Sequence, residues 1–279
     1  MPRAPEPDPP GIPELPPGLI GEASPRAGMA YRLLRLAWRT AAFLLRFHVE
    51  VSGLENLPRD RAGRPTGGWI AAGLPHRTWI DPFLVWMVLP AEPRLVFFGD
   101  ARTMARSPLR RWVVRRVGGI LPIPSHGGPR SFATHLAAAG EVLRAGAVFC
   151  LFPESGMPSP VGTARPISPG VGYIALRSGA SIVPVVIGGN DLLYLGRRIA
   201  VRIGKPVTWA ELAVAGAVDG EAAPGAAPEP GSGEERRLAR RISEGLHAHT
   251  APAVVRAHED VAPRPGARLR GTRLTHLFR

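Results

Sequence analysis

His76 and Asp81 stand five residues apart in the stretch AAGLPHRTWIDPF (71–83). An aspartate beside an imidazole can accept a hydrogen bond from one ring nitrogen. That fixes the tautomer and leaves the other nitrogen free as a general base. Such a dyad could take a proton from an acceptor hydroxyl. Spacing alone also fits an ordinary loop histidine followed by an aspartate that caps a helix. A second apolar run, AVFCLFPESG, ends in Phe152-Pro153-Glu154 and offers another carboxylate.

The elements around these residues decide whether they meet. From residue 49 the chain alternates short apolar runs with helical stretches. Strands are expected over 48–52, 68–73, 94–98, 147–152, 182–187 and 199–203, and helices over 81–89, 104–117, 131–145 and 169–178. This alternation predicts an α/β fold, with a mixed, largely parallel sheet flanked by helices, and an N-terminal amphipathic helix before it. Ligands of such sheets bind outside the carboxyl ends of the strands. His76, just past one strand, and Glu154, just past another, would then face the same edge. The helix from Ser131 is well punctuated, with a cap candidate at its start and Gly146 at its end.

The ends of the chain read differently. Residues 1–28 form a Pro-rich, acidic lead that we expect to be disordered. The segment 29–48 has neither Pro nor Gly, and on a helix Arg32, Arg35, Arg39 and Arg46 fall on one narrow stripe. Four arginines make a spanning helix costly, so an amphipathic helix lying in a membrane interface is expected, against the plainer reading of a core-packed helix with one solvated edge. The α/β domain is expected over 49–212. A low-complexity linker follows over 213–235, then a short helix near 234–250 and an arginine-rich tail, expected to be disordered, within 236–279.

Composition narrows the partners. The chain has 279 residues, a net charge of +13 and one cysteine, Cys150. Lys205 is the sole lysine, so the charge is carried by arginine. It favours anionic partners such as lipid headgroups or phosphorylated substrates. Nucleic acid fits poorly, because no aromatic platform is interleaved with the basic residues. A single cysteine excludes an internal disulfide framework and a cysteine-cluster metal site, and the histidines show no ligand-like grouping. The lead lacks the apolar core of a signal peptide. The segment 102–116 carries Arg102, Arg106 and Arg110 at i, i+4, i+8 spacing, which suits either coenzyme or headgroup phosphates or a solvated basic face.

In order and spacing, these pieces resemble the glycerolipid acyltransferases, which include the 1-acylglycerol-3-phosphate (lysophosphatidic acid) acyltransferases. The family's first motif is His, four residues, then Asp, with Ser two after the His; here it reads His76, Thr78, Asp81. The second, Gly-x-Ile/Phe-x-x-x-Arg, is met in part by Gly118-Gly119-Ile120-Leu121-Pro122-Ile123, with Pro124 and Ser125 where the arginine would fall. The third, Phe-Pro-Glu-Gly-Thr-Arg, is met by Phe152-Pro153-Glu154 and then departs, with Ser155-Gly156-Met157 following. The fourth is met by Val183-Pro184-Val185. The resemblance spans 49–205.

It implies transfer of a fatty acyl group from acyl-CoA or acyl carrier protein to a lysolipid hydroxyl, in phospholipid biosynthesis. The catalytic residues would be His76 as base and Asp81 as its orienter, with no covalent acyl-enzyme. Glu154, Thr78 and Gly156 would line the acceptor site. The family's phosphate-associated arginines are absent, and a phosphate favours a bidentate guanidinium, so Arg102, Arg130 or Arg165 would have to replace them, or the acceptor carries no phosphomonoester. No cofactor and no metal are implied, and the protein would sit peripherally on the cytoplasmic face of the cell membrane. No Gly-x-Ser-x-Gly elbow is present, and Cys150 lies within an apolar strand as packing. A hydrolase using the same dyad, or a lipid-binding relative without turnover, are the competing readings.

Overall fold

The computed structural model describes residues 25–100, 119–123, 129–155, 160–217, 225–263 and 272–276. Seven strands form one sheet: β1 (His48–Ser52), β2 (Ile70–Leu74), β3 (Leu95–Asp100), β4 (Ile120–Ile123), β5 (Val148–Leu151), β6 (Ile182–Gly188) and β7 (Arg198–Ile203). Their order is β1-β7-β6-β2-β5-β3-β4. Only β6 and β7 run antiparallel; every other neighbouring pair is parallel. The sheet is therefore mixed and largely parallel, as the alternation of elements predicted.

The central strands are apolar on both faces, as parallel strands covered on both sides must be. β2 and β6 are buried along their whole length. Side chains alternate between two cores. Ile70, Ala72, Leu74, Phe149, Ile182 and Val186 pack with α3 (Pro129–Arg144), α4 (Gly170–Ser178), α5 (Trp209–Ala215) and α6 (Gly233–Asp260). Ala71, Cys150, Val183, Val185 and Ile187 pack on the other side with α1 (Met29–Leu44) and α2 (Asp81–Val88). The result is three layers. α6 crosses β6 so closely that a Cβ on Gly188 would lie 1.8 Å from the Ala257 carbonyl oxygen, so no other residue fits there.

Because β2 pairs in parallel with both β5 and β6, the carboxyl ends of these three strands lie side by side. They deliver His76, Glu154 and Asn190 to one edge.

Several expectations change. β4 was not expected as a strand; it is short and carries a proline, Pro122. α5 falls where the linker was expected to begin, started by a reciprocal cap in which the Thr208 hydroxyl accepts from Glu211 N–H while the Glu211 carboxylate accepts from Thr208 N–H. α6 extends to Asp260, well past the expected short helix, because its apolar residues continue through Val254 and Ala257 against the core. The tail is not wholly loose: Thr272–His276 form a 3-10 turn whose Leu274 carbonyl accepts from Trp79 Nε1 at 3.1 Å, and Thr275 Oγ1 accepts from Leu193 N at 2.9 Å. Of the lead, residues 25–28 rest on the body, where the Pro25 carbonyl accepts from Arg94 N. Residues 1–24 and the helix expected over 104–117 lie outside the described residues.

α4 and α6 are joined by a bidentate ion pair. Arg177 donates from Nε to Glu235 Oε1 (2.7 Å) and from Nη2 to Oε2 (3.0 Å), and Gly231 N adds a third donor. The guanidinium holds the buried Glu235 carboxyl below its ordinary value of 4.5. A group depressed on folding stabilises the fold above its unfolded value and ceases to do so as pH falls through its folded one. Glu235→Gln is therefore expected to cost about 2 kcal/mol near neutral pH, or roughly 5 °C in Tm. The gap between variant and parent should close below about pH 4.5. Thermal melts of both proteins between neutral pH and pH 3 check this; a gap that persists at the acid end contradicts it.

Candidate active site

β2 ends at Leu74, and the next residues turn across the edge of the sheet into α2, whose first residue is Asp81. Within this turn the Asp81 carboxylate gathers five donors. Its Oδ2 accepts from His76 Nδ1 (2.9 Å), Arg77 N (2.6 Å) and Thr78 N (2.8 Å). Its Oδ1 accepts from Thr78 Oγ1 (3.0 Å) and Asn190 Nδ2 (2.9 Å). Asp81 has no solvent exposure, and its place at the start of α2 sets it against the positive end of the helix. Surrounded by donors, it acts only as an acceptor. Nδ1 of His76 is therefore the donor in this contact, and the neutral ring with that tautomer has its lone pair on Nε2.

The imidazole is held from a second side. The Phe152 ring stacks on it with centroids 4.4 Å apart and planes 28° from parallel. Phe152 fits there because residue 73 is glycine: a Cβ at Gly73 would stand 2.5 Å from the Phe152 ring. The His76 side chain remains 25% exposed, so the ring is not sealed from solvent.

Glu154 reaches the same place from β5. Its Oε2 accepts from His76 N at 2.7 Å and its Oε1 from Arg165 N at 2.8 Å. The carboxylate thus ties the His76 loop to the segment after β5, with both oxygens engaged by backbone donors. Arg165 lies beside it and donates from Nη1 to the Ser155 carbonyl. Thr78, expected to line the acceptor site, turns both its hydroxyl and its amide to Asp81 and is buried. Arg102 and Gly156 lie outside the described residues. Arg130 belongs to α3, and its side chain is not among those described.

Three participants had escaped the sequence. Asn190 meets Asp81 from the end of β6. Phe152 was noted only as part of a motif. Arg77, buried, donates from Nη2 to the carbonyls of Pro160 (2.9 Å) and Thr163 (3.1 Å), and so pins the turn after residue 160 over the His76 loop. Desolvation lowers its guanidinium from the ordinary arginine value. For Asn190 a signal existed: it follows the apolar run IVPVVIGG and so lies at a strand's carboxyl end. Cys150 is fully buried in β5, and desolvation pushes its thiol up, away from thiolate chemistry. Among the described residues, no three His, Cys, Asp or Glu side chains converge as a metal site would require.

A partly open imidazole, backed by a buried carboxylate at the carboxyl edge of an α/β sheet, makes a site suited to moving a proton on and off a hydroxyl. A family model described as Acyltransferase matches residues 48–188, about half of the chain and the span from β1 to the end of β6. The chain belongs to the Acyltransferase family. Among solved structures it is similar to the 1-acyl-sn-glycerophosphate (LPA) acyltransferase PlsC of Thermotoga maritima, with a TM-score of 0.51, 22% sequence identity, and coverage of 80% of this chain and 79% of that one. No curated protein sequence matches the chain.

Proposed function

We propose that the protein transfers a fatty acyl group from a thioester, acyl-CoA or acyl carrier protein, to a hydroxyl of a lysophospholipid-type acceptor. The observation that carries this is the 2.9 Å contact of His76 Nδ1 with the buried Asp81, on a ring that remains partly exposed. Nε2 takes the hydroxyl proton as the acceptor oxygen attacks the thioester carbonyl. The carbon–sulfur bond then breaks, and the imidazolium returns its proton to the departing thiolate. Asp81 stabilises the imidazolium between these steps. Glu154 and Arg77 hold the loop in register, and no acyl-enzyme or cofactor takes part.

We place 1-acylglycerol-3-phosphate first among acceptors, a choice that the activity of the Thermotoga maritima relative supports. Acceptors without a phosphomonoester come second, because Met157 stands where the family places a phosphate-associated arginine. Incubation with labelled palmitoyl-CoA and a panel of lysolipid and alcohol acceptors, with products read by mass spectrometry, tests the proposal. Acylated lipid supports it. Free fatty acid as the sole product would mean a hydrolase, and binding without product a lipid-binding relative.

The proposal includes a peripheral site of action on the cytoplasmic face of the cell membrane. No described helix is long and apolar enough to cross a membrane. α1 packs one side on the core and leaves the other open. Tyr31, Arg35, Trp38 and Ala42 face the protein, and Arg35 donates to the carbonyls of Met87 and Leu89 at the end of α2. The arginine stripe is accordingly not one solvated edge: Arg35 turns inward, Arg32 pairs with Glu92, and Arg46 lies past the helix end. The outward side carries large apolar side chains, with Leu36 61% and Phe43 77% exposed beside Met29, Leu33 and Leu44, next to the exposed Arg32 and Arg39. Trp38 also touches Trp79 and Phe83 next to the His76 loop, so a surface held by α1 would bring lipid to the site. Burying two such side chains is worth about 3 to 6 kcal/mol. Leu36→Glu with Phe43→Glu should therefore weaken binding to anionic vesicles by about 100-fold or more. Co-sedimentation reads this, and unchanged binding would rule out α1 as the contact.

A further inference from the structure

We infer that Asn190 is a positioning residue for the dyad. Its side-chain amide clamps the oxygen of Asp81 that His76 does not touch. Asn190 is fully buried, and its Nδ2 donates twice: to Asp81 Oδ1 at 2.9 Å and to the Pro75 carbonyl at 3.0 Å. One amide nitrogen thus spans the turn on both sides of His76. Its Oδ1, also buried, has no partner among the described residues. An orphaned buried acceptor is costly, yet turning the amide over would set that oxygen against two acceptors and lose both bonds. The orientation is therefore fixed by what Nδ2 holds.

The turn that carries Asn190 is itself built to be rigid. Fully buried Arg197 donates from Nε to the Gly189 carbonyl (2.8 Å), from Nη2 to Asp191 Oδ1 (3.0 Å), and from Nη1 to the Val261 carbonyl (3.1 Å). Asn190 is thus gripped from behind between two residues that Arg197 holds. In front, Asp81 Oδ2 accepts from the imidazole and two backbone amides, while among the described residues Oδ1 has only Thr78 Oγ1 and Asn190. Losing Asn190 lets the carboxylate rotate about its Cβ–Cγ bond, and the Nδ1 contact loosens with it.

Two variants separate this role from simple support. Asn190→Ala removes the donor; kcat should fall about 10- to 100-fold with KM within about threefold. Asn190→Asp keeps the shape but can donate only while protonated. Its carboxyl would face Asp81, with His76 and Arg77 on the same turn, Asp191 and Arg197 in its own turn, and His258 of α6 3.9 Å from Asp191. Two carboxylates in contact share a proton. The Asn190→Asp enzyme should therefore keep kcat only while that shared proton is held, and lose it on an alkaline limb that the parent does not show. A profile parallel to the parent's overturns the inference, as does an Asn190→Ala enzyme with parental kcat.

The kinetic arm rests on the acyl-transfer reading, so a second readout is needed that does not. The downfield proton resonance of the His76 Nδ1–H···Asp81 bond should be present in the parent and lost or shifted in Asn190→Ala, with melts showing the variant folded. If the parent transfers no acyl group, the functional reading falls and this resonance still decides the inference. An unchanged resonance overturns it.

Discussion

Replacing His76 with Ala is expected to lower kcat for acyl transfer by about 10²- to 10⁴-fold, the range in which a positioned general base contributes. Neither described carboxylate beside it can take over. Asp81 has donors on both oxygens, and both oxygens of Glu154 are held by the amides of His76 and Arg165. The ring is partly exposed and supports little of the core. Its loss removes the stacking on Phe152, worth about 0.5–1.5 kcal/mol, and leaves the backbone bond from residue 76 to Glu154 in place. The melting temperature should therefore move by only a few degrees while turnover disappears. Acceptor binding should survive, so the loss should lie in kcat rather than KM. A His76→Ala protein that acylates lysolipid at the parental rate would end the general-base mechanism.

What the sequence disclosed and what it withheld follow from the range of the interactions. His76 and Asp81 lie in one turn, so their partnership follows from local spacing once a strand before and a helix after are recognised. β1 reads correctly from HVEVS, and β2 from its apolar run, because burial on both faces leaves a continuous apolar signal. Glu154 was placed at the right edge by the same reasoning, but its partners were not: that its oxygens serve the amides of His76 and Arg165 depends on the register of β2 with β5. Asn190 depends likewise on β2 pairing with β6. α1 was legible as an N-terminal helix, but not which of its side chains face the protein. Its wheel showed the arginine stripe but could not show that Arg35 turns in to the carbonyls ending α2 while the leucines turn out. The cap of α5 was legible in Thr208 and Glu211 and was overshadowed by the low-complexity stretch after it.

Asp81→Asn should be as damaging to turnover as losing the imidazole, about 10²- to 10⁴-fold in kcat, by a different route. The carboxylate satisfies donors on both oxygens, whereas an amide offers one oxygen and one NH₂. If the oxygen keeps the side of His76, Arg77 and Thr78, the NH₂ points at Thr78 Oγ1 and Asn190 Nδ2. The hydroxyl can rotate, and Asn190 can turn its unpartnered Oδ1 to the new amide, but the Pro75 carbonyl then loses its donor. If the NH₂ takes the other side, it faces two backbone N–H groups and the imidazole, and His76 must adopt the tautomer with Nε2 protonated, which cannot accept the hydroxyl proton. In the first arrangement the base survives, but the imidazolium it becomes has no opposite charge beside it. Each arrangement leaves buried groups unpaired, at about 1–3 kcal/mol. Asp81→Asn should thus lose stability that His76→Ala keeps, and measuring kcat together with Tm for both variants tells the two losses apart. An Asp81→Asn enzyme within threefold of parental kcat would show that the charge of Asp81 is not what makes His76 a base.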